Sequence, residues 1–259
     1  VNDLLRVFCI FFTLLLSACS SSGSESTDES GNTQSLVDVV DPSIVQRSDV
    51  RDIDSLYVYR PQSPYAAVLA DCATIRNAVD ACTLDTLPFI SQATPDFSRE
   101  DILNRLLVTH EWMGERFERI LNDAPERMIP LFGAITSISI GSSIRPSNYW
   151  VGTGAIQLDS AGLWLSVEEK ANISIEEDYR SSFGDGLQFW FFETMRKDGE
   201  PVLSFYSLTD YQERGLEDIK VPIYRLLYHE LAHANDYLPS ETIPLIDSSL
   251  VPAEALFNN

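Results

Sequence analysis

The sequence predicts an α+β fold in which a mixed, twisted sheet packs on one long helix near the C-terminus. Residues 98–122 repeat apolar side chains at helical steps. Residues 134–140 and 154–158 are β-branched or aliphatic runs without that period. A second amphipathic helix, carrying two of the three histidines, follows them.

The chain opens on an apolar run, Leu4 to Leu16, whose only basic residue is Arg6. It is short for a membrane span and reads as the hydrophobic part of a signal peptide. Leu16-Ser17-Ala18-Cys19 resembles the lipobox of bacterial lipoproteins. That resemblance implies a lipoprotein signal over residues 1–18, cleavage before Cys19, and lipid on the Cys19 sulfur and new amino group. With Ser20 next, it implies an outer-membrane lipoprotein facing the periplasm. A plain export signal is the alternative. Residues 19–50 are rich in serine and acidic side chains, have little to bury, and read as a flexible tether. Residues 51–259 suffice for one domain with a real core.

Acidic side chains outnumber basic ones 39 to 18, for a formal net charge of −21. Such a surface excludes nucleic acid as a partner and repels anionic headgroups, so membrane attachment falls to the lipid on Cys19.

Residues 53–59 read as a strand ended by Pro61, and 64–82 as a broken helix. Cys72 and Cys82 lie in that stretch, in a compartment that permits disulfides. On one straight helix their Cα atoms would stand about 15 Å apart, too far to bridge. Either the segment bends and a disulfide forms, or two buried thiols remain. Ser98 and Asp101 fit a capping box opening the helix over 98–122, whose stripe is Ile102, Leu106, Met113, Phe117 and Ile120. His110 lacks a histidine at the next turn and reads as a helix-face residue. Ser166-Val167-Glu168-Glu169 looks like another capped start. Lys197-Asp198-Gly199 suggests a hairpin turn between strands over 187–194 and 202–206.

Residues 229–233 read His-Glu-Leu-Ala-His, on a helix expected to open near Pro222. Positions i and i+4 share a helix face, so His229 and His233 can reach one metal ion while Glu230 takes a proton from water there. Ile223, Leu227, Leu231, Ala234 and Leu238 fall nearly opposite, as a core-facing stripe. The alternative is a surface helix whose histidines merely meet solvent. A catalytic zinc needs a third protein ligand. Asp236 shares the histidine face but lies about 10 Å along the axis from His229, so it reads first as an orienting residue and as a ligand only if the helix ends after His233.

The element order and the His-Glu-Leu-Ala-His segment resemble the N-terminal half of zincin metallopeptidases. Glu254, twenty-one residues past His233, has close to the spacing of the third ligand in the gluzincin branch; Glu241 and Asp247 are weaker options. Zincins close their cleft with a C-terminal subdomain, so a chain ending at Asn259 implies a reduced or truncated fold. The block from Arg145 to Trp150, with Gly152 to Asp159 and Leu163 to Leu165, resembles uncharacterised proteobacterial lipoproteins that carry the same histidine segment. Gly154, Ala155 and Ile156 are then either an ordinary sheet strand or a cleft-edge strand that pairs with an extended peptide. Arg145 and Tyr149 are either packing residues or oxyanion donors. The resemblance implies a lipid-anchored zinc peptidase acting on peptide or protein substrates, with Glu230 as general base. The rivals are a non-catalytic envelope scaffold on the same fold and an inactive truncated product.

Overall fold

In the computed structural model, residues 55–176, 195–202 and 212–257 are described. The segments expected as signal peptide and tether, the strand expected over 187–194 and all but the first residue of the one expected over 202–206 lie outside them. The main sheet runs β1 (Tyr57–Val58), β2 (Leu106–Val108), β3 (Ser137–Gly141), β5 (Ala155–Asp159) and β4 (Asn148–Trp150) across its width. β2, β3 and β5 are parallel, while β1 and β4 pair antiparallel at the two ends. The architecture is mixed, and it is compatible with the α+β class.

Alternation along the strands divides the sheet into two faces. Leu106, Val108, Ile138, Ile140, Ile156 and Leu158 join the larger core. It is closed by helices α4 (Glu111–Asn122) and α6 (Leu216–Tyr237) through Met113, Phe117, Ile120, Ile223, Leu227 and Leu231. Leu107 points the other way, into a smaller cluster with Leu69, Cys72 and Ala73 of helix α1 (Leu69–Ala73) and with Leu87.

The stretch expected as one helix over 98–122 is instead helix, strand, helix. Ser98 and Asp101 do form a capping box, and it opens α3 (Arg99–Leu103), which follows the short α2 (Ile90–Ala93). Then Leu106-Leu107-Val108 leaves the helix and pairs with β1 on one side and β3 on the other. Ile102 and Leu106 keep helical spacing, which masked the break. A Leu-Leu-Val run gains more from two ladders in the sheet centre than from one more helical turn. His110 consequently sits at the N-cap of α4 with extended backbone, φ −141°, rather than on a helix face.

α6 also opens earlier than Pro222. The Asp218 carboxylate accepts the Gly215 N–H at 2.7 Å, and Glu217 and Asp218 suit the positive end of the helix. Pro222 is carried inside the helix, where it withholds one N–H.

The strands expected over 134–140 and 154–158 stand with shifted ends, as β3 and β5. A 3-10 segment occupies Glu126–Ala134 before β3. Ser166 and Glu169 cap α5 (Val167–Ala171) reciprocally. Asp198 and Gly199, both at positive φ, turn β6 (Met195–Lys197) into β7 (Glu200–Val202), a separate two-stranded sheet.

Between Cys72 and Cys82 the chain bends. α1 stops at Ala73, and a 3-10 turn at Ala78–Asp80, capped by Asn77, reverses direction. The Cα atoms reach 5.3 Å and the disulfide closes. The C-terminal segment runs against this region. Leu84 N–H donates to Leu250 O at 2.9 Å and Asp85 N–H to Ser248 O at 2.7 Å. Helix α7 (Pro252–Phe257) begins with Pro252 beside Cys72 and Cys82.

Candidate metal centre

Three strips of α6 position its histidines. Ile219, Ile223, Leu227, Leu231 and Ala234 are at most 2% exposed and pin one strip to the sheet side. A second strip carries polar clamps. Tyr224 Oη donates to Ile120 O at 3.1 Å, Arg127 Nε donates to Tyr228 Oη at 3.3 Å, and Asn235 Nδ2 donates to Leu131 O at 2.9 Å. Together they fix the roll of the helix about its axis. The third strip, His229, Ala232, His233 and Asp236, is exposed.

The two imidazoles meet nearly edge to face, with ring centroids 4.7 Å apart and planes at 84°. Their Nε2 atoms are 3.2 Å apart. Two nitrogens each about 2.0–2.1 Å from one tetrahedral zinc would stand roughly 3.3 Å apart. The Nε2 separation therefore matches that of two ligands to one zinc ion. Neighbouring Glu230 differs sharply in exposure, at 4%.

No further His, Cys, Asp or Glu among the described residues joins the pair to make a three-ligand group. Asp236 fails because α6 continues unbroken to Tyr237, so its carboxylate is carried a further turn along the axis. Glu254, the favoured third ligand, caps its own helix instead: its Oε2 accepts the Val251 N–H at 3.2 Å, at the end of α7 beside the disulfide. Asp247 turns onto Ser249, accepting its N–H at 2.9 Å and its hydroxyl at 2.8 Å, and these bonds hold its carboxyl below the usual range. Glu241 is exposed beyond the helix.

Gly154, Ala155 and Ile156 do not form a sheet edge. β5 is paired on both sides, with β3 through Ala155 and Ile156 and with β4 through the same two residues. Ser137 to Gly141 and Asn148 to Trp150 occupy both of its ladders, leaving no backbone free for a peptide. Among the described residues β4 ends the sheet on that side. Its aromatic pair Tyr149-Trp150 is the signal that could have found this strand, since aromatics favour a pleated surface.

Arg145 is held by Asp159, Nε to Oδ2 at 2.8 Å, and donates to Glu176 O at 2.7 Å, so packing accounts for it. Tyr149 pairs in register with Ile156 and so faces the α6 side. Its hydroxyl is buried and has no hydrogen-bond partner among the described residues. Burial first, then the neighbouring Tyr237, push its pKa above the ordinary tyrosine value. His110 stays apart from the pair, its Nδ1 3.1 Å from Thr109 Oγ1. No helix among the described residues is long and apolar enough to cross a membrane.

No family model matches this chain, and no match is found among curated proteins or solved structures.

Proposed function

We propose that the chain is a lipid-anchored, zinc-dependent peptidase with a zincin-like fold, held to the outer membrane through Cys19 and facing the periplasm. The observation that carries this reading is the 3.2 Å approach of the His229 and His233 Nε2 atoms on an exposed helix strip. When bound there, zinc supplies Lewis acidity toward water and a peptide carbonyl. His229 and His233 hold it from one face of a helix that is rigid because its other two strips are anchored. Glu230, one residue along and screened from bulk water, accepts the proton of the attacking water and returns it to the leaving amine. β4 offers the backbone of a sheet end to an extended substrate, taking the role first assigned to β5.

The test is elemental and kinetic. Purified protein is expected to carry one zinc per chain, lost in His229→Ala. Glu230→Gln should retain zinc and lose peptide hydrolysis. Full hydrolysis by Glu230→Gln removes the mechanism.

A second reading is a non-catalytic envelope scaffold on the same fold. It is favoured by one observation, that no third ligand joins the pair among the described residues. Absence of stoichiometric zinc at neutral pH, together with no hydrolysis, selects it. Labelling of Cys19 with a radioactive fatty acid, abolished by Cys19→Ala, tests the anchor under either reading.

A further inference from the structure

We infer that the His229/His233 site takes polypeptides with a lysine or arginine side chain, which Asp236 and Tyr237 receive one turn beyond the metal pair. The substrate class deepens the peptidase reading and rests on it for the site, but its test does not require hydrolysis.

Asp236 and Tyr237 stand three and four residues after His233, the two spacings that make helix neighbours. At about 100° per residue they fall on either side of the His233 direction, about 60° and 40° away. Asp236 is exposed and takes part in no hydrogen bond or ion pair among the described residues. Tyr237 leaves 48% of its surface exposed, one of few large aromatic side chains among the described residues to do so. A free carboxylate and an open aromatic face on one turn recognise the same ligand by two mechanisms, ion pairing and cation–π attraction. An anionic or aliphatic side chain gains from neither.

Two further observations agree. β4 packs directly on α6, and the Tyr149 hydroxyl is coupled electrostatically to Tyr237, so the sheet end and this turn of α6 are near neighbours. A chain laid along β4 therefore passes the Asp236–Tyr237 turn, with alternate side chains directed toward it. The net charge of −21 draws cationic chains toward the molecule before contact. The one lysine near the start of α6 does not offset this, because Lys220 is already paired with Asp123 at 2.8 Å and with Glu217.

The experiment uses the full chain as Glu230→Gln, zinc-loaded, so that bound peptide is not consumed. Short fluorescein-labelled peptides differing only in a central Lys, Gln or Glu are titrated by anisotropy. The Lys peptide is expected to bind about ten-fold tighter than the Gln peptide, a gap that narrows as salt rises. Asp236→Asn should cut that ratio to about two-fold. Asp71→Asn is the control: it removes an exposed carboxylate from α1, on the opposite face of the sheet, and should leave the ratio intact. An equal fall in Asp71→Asn assigns the preference to net charge and overturns the inference. So does a Lys:Gln ratio near one, or loss of zinc in Asp236→Asn, which would put Asp236 in the metal's own shell. If wild-type protein hydrolyses nothing but the ratio and its Asp236 dependence persist, the peptidase reading fails and this inference stands as a binding specificity.

Discussion

His229 and His233 stand four residues apart inside one unbroken helix, whereas Cys72 and Cys82 stand ten apart across a helix end, a bend and a 3-10 turn. Both pairs bring side chains within reach of one another. The first needs only that residues 229–233 be helical, because a turn of 3.6 residues aligns the imidazoles whatever the helix packs on. The second needs the chain to stop being helical, which its own spacing did not announce. What holds that bend is tertiary: Leu69 and Ala73 seated on Leu107 and Leu87, and the C-terminal segment bonded to Leu84 and Asp85.

The contrast breaks most sharply at Ala232. It is exposed, so Ala232→Pro changes backbone rather than packing. The ring would clash with the Tyr228 carbonyl and remove an N–H from the turn between the histidines. It should cost about 3 kcal/mol or more and abolish zinc binding, read by denaturant melts and metal analysis. Retention of zinc would mean that the helix does not set the pair.

Replacing both cysteines by serine removes a cross-link over a short loop and should cost about 3 kcal/mol in the same melts. Zinc stoichiometry of the folded protein should be unchanged, since the residues that line the space beside the disulfide, Ala81, Leu87, Thr153 and Pro252, are not part of α6. Coupled loss of zinc would show that the two regions are not independent.

The smallest effect is expected at Asn235. Asn235→Ala deletes the clamp to Leu131 O, at about 1 kcal/mol. Helix roll carries both imidazoles together, so zinc affinity should hold while peptide turnover falls, because the pair moves relative to β4. A parallel drop in zinc affinity would mean that the clamp shapes the pair itself.

The same division separates what was legible in the chain from what was not. The apolar stripe of α6, the capping boxes at Ser98 and Ser166, and the turn at Asp198-Gly199 are all local. Each depends on residues within one or two turns, and each holds in the structure. β2 was hidden because its three residues sit inside a helical period, and only β1 and β3 on either side decide that they extend. The edge role given to Gly154, Ala155 and Ile156 failed for a related reason. A strand's own sequence states which residues alternate, not whether a neighbour occupies each ladder. Glu254 matched a family spacing, yet the segment carrying it turns back against residues 84 and 85 and seats Pro252 at the disulfide.

From its sequence alone this protein is determined to have a histidine pair aligned on one helix face with an apolar stripe behind it, because covalent geometry and helical period need no distant partner. Tertiary structure alone decided that Leu106 to Val108 is a strand, that β5 is paired on both sides, and that the cysteines meet across a bend. Those outcomes depend on contacts between residues tens of positions apart, whose free energies exceed the local preferences they override.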